Sequence, residues 1–472
     1  MKEQASQEQS EAPLKLKTAR TLKWNTIDRL ASQVLYGVVG VVLANVVSQE
    51  EFGLVGALIV FQSFAIIFAD SGFGAALLQR KDPTDEDYST VFWFNLVVSV
   101  SIYWTLWLCA PLIADIFQGD RRLIPLSKVM FLTFVFNALA IVQTNRLMKR
   151  MDVKMIAVSN VIAQVAGGAL GIGLALAGYG AWALVWQSVA LAGIKTGILW
   201  ATGRWLPTCW IKKSSLAKVW RIGLSVFCSS MLNTVFLSIY SFVIGAFYSL
   251  RALGVYTQAD KWSKMGCASL SQVLTASFVP LMSRVQDSAE DFRRYVRKIN
   301  RFTAFMLFPA MLGLAVVGEP LFHTLFGHKW DSAITLFRIL AVRGLFVIEV
   351  VKDVAIAVAI VCTVGFGDVA LLVWGQLFAS LVTYCVVVVM TARSLGYPVA
   401  RMTGDLVPFL LASLAMCGVC HFAGMMPLPS MLRLCVEIIS GGAAYVIIMK
   451  ICGFPELPEA AGYLFGRFRK RR

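Results

Sequence analysis

Charge placed inside an apolar run is the first chemical signal in this chain. A charged side chain at the middle of a membrane helix costs about 2.5–3.5 kcal/mol on insertion scales, so it is retained for a reason. Asp260, Lys261 and Lys264 stand together in one such run. With about 100° per residue they fall at about 0°, 100° and 40° of helical rotation and share one face. Asp260 and Lys264, at i and i+4, can pair and lower the cost of burial. Lys261 is then the cation to meet an anionic ligand. The alternative is a salt-bridged cluster near the outer interface, its long side chains reaching to water. Asp70, about 15 Å from the cytoplasmic end of its helix, is followed by Ser71 and Gly72. It reads either as a protonatable coupling group, or as the cap of a broken helix or the partner of a base. Arg29, beside Asp28 near the cytoplasmic mouth, meets an anionic ligand or pairs with Asp28 or membrane headgroups. Lys195, alone in the sixth run, is expected in the outer half of the bundle and has no assigned role.

Other chemistry is sparse. Cys417-Gly-Val-Cys420-His421 matches the spacing of covalent haem attachment, but it lies inside an apolar helix and reads as coincidence. His323 and His328 fall at the outer end of the ninth run and read as interfacial rather than as metal ligands. The sequence has no P-loop, no metal-ligand cluster and no paired carboxylates in an extramembrane domain. It calls for no cofactor and no metal, and it does not read as an enzyme.

The elements that must position these charges are membrane helices. Hydrophobic residues make up 58% of the 472 and charged residues 15%, against about 45–50% and about 25% in soluble proteins. Too few polar groups remain to cover a globule in water. Apolar runs give an all-α, polytopic membrane protein of about 14 transmembrane helices. The runs are 26–47, 53–79, 90–114, 123–145, 155–177, 180–202, 222–247, 253–283, 302–325, 332–351, 352–365, 368–392, 406–425 and 431–452. They group as a tail (1–25), an N-lobe (26–202), a linker (203–221), a C-lobe (222–395), two extra helices (406–452) and a basic tail (453–472). The formal charge of +16 would suggest nucleic acid in a soluble protein; here it reads as the basic bias of cytoplasmic loops against anionic lipid. Alternate loops carry that bias: Arg80 and Lys81, then Arg146 to Lys154, Arg204 to Arg221, Arg284 to Arg301, Arg393 and Arg401, and Arg467 to Arg472. The intervening turns are poor in basic residues, with Arg121, Arg122, Arg251, Lys329 and Arg433 as exceptions. Both termini are therefore expected in the cytoplasm.

The chain repeats weakly at an offset of about 200 residues, a parallel repeat of two six-helix halves. Ser48-x4-Gly53 opens the second helix and Ser249-x4-Gly254 the eighth. Acidic loops follow each, from Asp82 and from Asp287, and Gly178-Tyr-Gly180 answers to Gly365-Phe-Gly367. The second half is shorter by about 18 residues, or about 27 Å of helix. Residues 331–365 are accordingly expected to hold two short or irregular crossings.

Several segments resemble a known family. Ala69-Asp-Ser-Gly-Phe-Gly-Ala-Ala-Leu-Leu-Gln-Arg80-Lys, Thr90-Val-Phe-Trp-Phe-Asn95, Gly178-Tyr-Gly-Ala-Trp-Ala-Leu-Val-Trp-Gln187, Val279-Pro-Leu-Met-Ser283 and Gly327-His-Lys-Trp330 look like Wzx-type oligosaccharide flippases. These form the polysaccharide-transporter branch of the MOP superfamily, which also holds the MATE drug exporters. The resemblance spans about residues 20–455. It implies two six-helix lobes, with helices 1, 2, 7 and 8 lining a cavity, in the bacterial inner membrane. It implies an undecaprenyl-diphosphate-linked oligosaccharide as cargo, membrane lipids, a polysaccharide polymerase and glycosyltransferases as partners, and no nucleic acid. On that footing Arg29, Lys261 and Lys264 are the substrate-binding candidates, and Asp70 and Asp260 the coupling candidates. Competing readings are a MATE-like cation antiporter, which needs a more acidic cavity, a glycan polymerase component, which would present a large periplasmic loop, and a non-transporting membrane scaffold.

Overall fold

In lipid a backbone must satisfy its own hydrogen bonds, which leaves helix as the form open to long apolar runs. The computed structural model describes residues 2–70, 72–203, 205–208, 210–266, 289–346, 368–395 and 399–459, and every regular element among them is helical. Eleven helical segments of the described residues are long and apolar enough to cross a membrane. The remaining three expected crossings lie wholly or partly outside the described residues, at 267–283, 347–351 and 352–365. The all-α, polytopic architecture is therefore as expected.

Two compact units divide at Gly254, the first Met1–Gly254 and the second Val255–Arg472. In the first unit α1 (Lys2–Val46) is already helical through the expected tail. Then follow α2 (Gln49–Asp70), α3 (Phe73–Gln79), α4 (Asp85–Leu108), α5 (Ala110–Ile116), α6 (Leu123–Met130), α7 (Leu132–Lys149), α8 (Val153–Leu176), α9 (Ala181–Gly203) and α10 (Lys213–Phe247). Their turns gather at two ends. At one end Gln118 Nε2 donates to the Tyr248 carbonyl at 2.7 Å, Arg251 Nε donates to Gln49 Oε1 at 2.9 Å, and Arg122 pairs with Glu50. At the other, Arg80 pairs with Asp87 at 2.7 Å and Arg146 with Asp85 at 3.3 Å, while Lys149 Nζ donates to the Leu78 carbonyl at 3.1 Å. Loops that charge assigned to one side of the membrane thus meet at one end.

The basic end is also an aromatic core. Phe73, Tyr88, Phe92 and Trp205 are buried together with Val142 and Val219, and the Arg146 guanidinium lies 4.9 Å from the Trp205 ring. Thr84 and Asp87 cap α4 reciprocally, the Thr84 side chain accepting from the Asp87 backbone and the Asp87 side chain from the Thr84 backbone.

The second unit continues α11 (residues 250–266, begun in the first) and adds α12 (Ala289–Val316), α13 (Gly318–Phe326), a 3-10 turn (Gly327–Trp330) and α14 (Asp331–Arg343). After a second 3-10 turn (Gly344–Phe346) and the segment outside the description come α15 (Val369–Leu395), α16 (Val399–Gly404), α17 (Val407–Gly424) and α18 (Ser430–Ile451). α14 has 13 residues, about 20 Å of helix and short of the ~30 Å hydrocarbon. Phe305, Phe409, Met416, Tyr445 and Met449 form a core between α12, α17 and α18. Cys420 packs there and donates to the Glu437 carbonyl at 3.3 Å, so the Cys417–His421 motif is an ordinary stretch of helix.

Candidate functional site

Ser249 starts α11 by accepting from the Ala252 amide at 3.0 Å, as a serine cap does. Eleven residues on, Asp260 and Lys264 form the i,i+4 ion pair that their spacing allows, at 2.6 Å. The Asp260 side chain is 17% exposed and that of Lys264 50%, so the pair lies on an open face and not in a sealed contact. Lys261 Nζ stands 5.5 Å from the centre of the Trp262 ring, whose Nε1 donates to Gln258 Oε1 at 3.2 Å. The structure keeps all three charges on one stretch of regular helix. Two cations and one anion leave that stretch with a net positive charge.

Asp70 ends α2, and the chain breaks there. Gly72 adopts φ 69°, a left-handed conformation that favours glycine. The Asp70 carboxylate turns back to accept from the Gly74 amide, capping α3. The break is also where α10 comes close: a Cβ on Gly72 would lie 2.2 Å from the Gly223 carbonyl oxygen.

Arg29 is exposed on α1. Its neighbour Asp28 accepts from Asn160 Nδ2 of α8 at 3.0 Å and from Ser32 at 3.3 Å. Lys195 is a correction. It feels the Asp28 carboxylate electrostatically, which places it toward the end of the unit where the first span begins, not in the outer half. Lys195 is the fifteenth of the 23 residues of α9 and so lies nearer the end of that helix than its start.

One pair of residues served in the sequence only to mark the repeat, and the structure gives it a mechanical role. A Cβ on Gly53 would lie 1.7 Å from the Leu250 carbonyl oxygen, and one on Gly254 would lie 1.9 Å from the Gln49 carbonyl oxygen. Gln49 and Leu250 are four residues before Gly53 and Gly254 respectively, so the repeat makes the same contact twice. The first turns of α2 and α11 touch backbone to backbone, which only residues without a side chain permit. Arg251 and Gln49 bridge the same turns. The signal in the sequence was the matched Ser-x4-Gly spacing. Its meaning required the two turns to be seen facing each other.

A family model described as polysaccharide biosynthesis protein matches residues 42–335. The teichuronic acid biosynthesis protein TuaB of Bacillus subtilis (strain 168) is 24% identical over 326 residues, 68% of this chain and 67% of that one. The succinoglycan biosynthesis transport protein ExoT of Rhizobium meliloti (strain 1021) is 24% identical over 408 residues, 83% of this chain and 81% of that one. Among solved structures, the lipid II flippase MurJ in an inward closed conformation matches with a TM-score of 0.73 at 13% identity. That match covers 90% of this chain and 98% of MurJ, and it establishes the fold. The resemblance drawn from the motifs is confirmed, and because the family model spans more than half of the residues, the chain belongs to the polysaccharide biosynthesis protein family.

Proposed function

We propose that this multi-pass protein carries a lipid-linked oligosaccharide, anchored by undecaprenyl diphosphate, across the bacterial inner membrane for surface polysaccharide assembly. The movement is by alternating access of the two six-helix lobes, coupled to an ion or proton gradient, with both termini in the cytoplasm. A polymerase and glycosyltransferases supply and consume its cargo. The observation that carries the reading is the open, net cationic stretch of α11, where Lys264 is held by Asp260 and Lys261 stands beside them. A diphosphate crossing hydrocarbon needs fixed positive charge to replace its hydration. A carrier of organic cations needs the reverse, and this helix supplies two lysines to one aspartate. Arg29 greets the headgroup at the first span, while Asp70 and Asp260 are the acids through which a gradient acts.

The test is flipping of a fluorescent undecaprenyl-diphosphate oligosaccharide in proteoliposomes. The native protein is expected to move the lipid, and Lys261→Ala with Lys264→Ala is expected to stop it at equal protein content. Full flipping by the double variant would remove these lysines from the mechanism. Failure of the native protein to move the lipid, with exchange of a cationic dye for protons, would replace the reading by a drug antiporter.

A further inference from the structure

Two of the three histidines in this chain converge on one carboxylate. His323 lies on α13; Gly327, at φ 62°, ends that helix and turns the chain into the 3-10 turn that carries His328. Asp331 opens α14. His323 Nε2 lies 3.0 Å from Asp331 Oδ1, and His328 Nδ1 lies 3.2 Å from Asp331 Oδ2. The imidazole centres are 4.5 Å apart, and one ligand atom from each residue lies within 4.8 Å of the others. From sequence alone the two histidines read as interfacial; the third member, Asp331, is eight residues from His323.

We propose that His323, His328 and Asp331 form a binding site for a divalent first-row metal ion, with Zn2+ the best match. Zinc bonds to nitrogen and oxygen are about 2.0–2.2 Å, so neighbouring ligand atoms of a tetrahedron stand about 3.3–3.4 Å apart. Each imidazole nitrogen is within a few tenths of an ångström of that edge from one of the two Asp331 oxygens. The three ligand atoms, one per residue and within 4.8 Å of one another, close by at most about 1.4–1.5 Å to reach it. Two imidazoles and a carboxylate suit zinc, whereas magnesium and calcium require more oxygen ligands. The corner is held in place by its own core. Phe322 and Trp330 are each 1% exposed and Phe337 is fully buried, and the Phe322 ring packs 5.3 Å from Phe326 and 5.0 Å from Phe337. The ligands therefore need little ordering on binding. The His328 side chain is 82% exposed, which gives an ion a way in and leaves the fourth position to water. Glu319, one turn before His323, is held by Arg338 at 3.1 Å and Arg433 at 3.7 Å. Bound metal clips α13 to α14 at the end of the unit that loop charge assigns to the periplasm.

The experiment uses the purified full-length protein in detergent, with its affinity tag cleaved off and metal stripped by chelator. Addition of Co2+ is expected to give the visible absorption of a tetrahedral site at one equivalent, displaced by one equivalent of Zn2+. Loss of an outer-shell partner alone costs about 10–100-fold in metal affinity. His323→Ala, His328→Ala and Asp331→Asn, each removing a ligand, are therefore expected to weaken binding at least about tenfold. His421→Ala, at the third histidine, should leave binding unchanged. Zn2+ should raise the unfolding midpoint of the native protein and of the His421 variant but not of the three ligand variants, whose midpoints in chelator should match the native one. Absence of a cobalt band, or a band that survives His323→Ala and His328→Ala, would overturn the site.

Discussion

Replacing Gly53 by alanine tests whether the turn contact between α2 and α11 belongs to the working cycle. The added carbon would sit 1.7 Å from the Leu250 carbonyl oxygen, where even a close C–H···O approach keeps about 3.3 Å. The turns must therefore part by about 1.6 Å, and by about 1.4 Å for Gly254→Ala. Both obstacles are backbone atoms, so no rotamer change relieves them. Overpacking of this kind costs about 1–3 kcal/mol, or about 5- to 150-fold in the population of the state that contains the contact. The assay is disulfide formation between Gln49→Cys and Arg251→Cys, whose native side chains are hydrogen-bonded, in membranes and in a background without other cysteines. The cross-link should form readily with both glycines and fall at least about fivefold with Gly53→Ala, together with transport. The two alanines should be less than additive, since either one opens the same contact. Gly173→Ala is the control, because a Cβ there meets nothing within 4 Å. Unchanged cross-linking and transport in Gly53→Ala, at normal protein level, would refute the reasoning.

Three further outcomes follow from the geometry. Asp70→Asn retains an oxygen to accept from Gly74 but cannot exchange a proton; it should fold normally and lose gradient-driven transport, and full transport in this variant would leave Asp70 as a cap alone. Asp87→Ala strips Arg80 of its partner and α4 of its capping box; one lost cap costs about 1 kcal/mol, and the unpaired half-buried charge adds to it, so the thermal midpoint in detergent should fall by several degrees. Asp120 lies outside the membrane-spanning segments, and its hydrogen bonds from Arg122 hold its carboxyl below the usual range. Its contribution is present above the ordinary carboxylate pKa and is lost as pH falls through the lowered value, so Asp120→Asn should flatten the acid limb of the stability profile; an unaltered limb would show that the pair contributes nothing.

The class of this protein was determined by its sequence, because lipid imposes one-dimensional rules. About twenty apolar residues make a crossing wherever they stand, and lysine and arginine sort the loops by side without reference to tertiary contacts. The pairing of Asp260 with Lys264 was legible for the same reason, since helical rotation alone brings i and i+4 together. Other features depended on where separate segments meet. Helix two reads as one apolar run from 53 to 79, yet it breaks after Asp70, because Gly72 can take φ 69° where α10 presses on it. Gly53 and Gly254 looked like markers of a repeat until the structure set each against the carbonyl four residues before the other. Asp331 was invisible beside His323 and His328, because a 3-10 turn folds eight residues back on themselves and no helical period predicts that approach. Spacing along one helix can be read from a string of residues. Contact between two turns, or around a corner, is a matter of distance in space, which backbone packing alone sets.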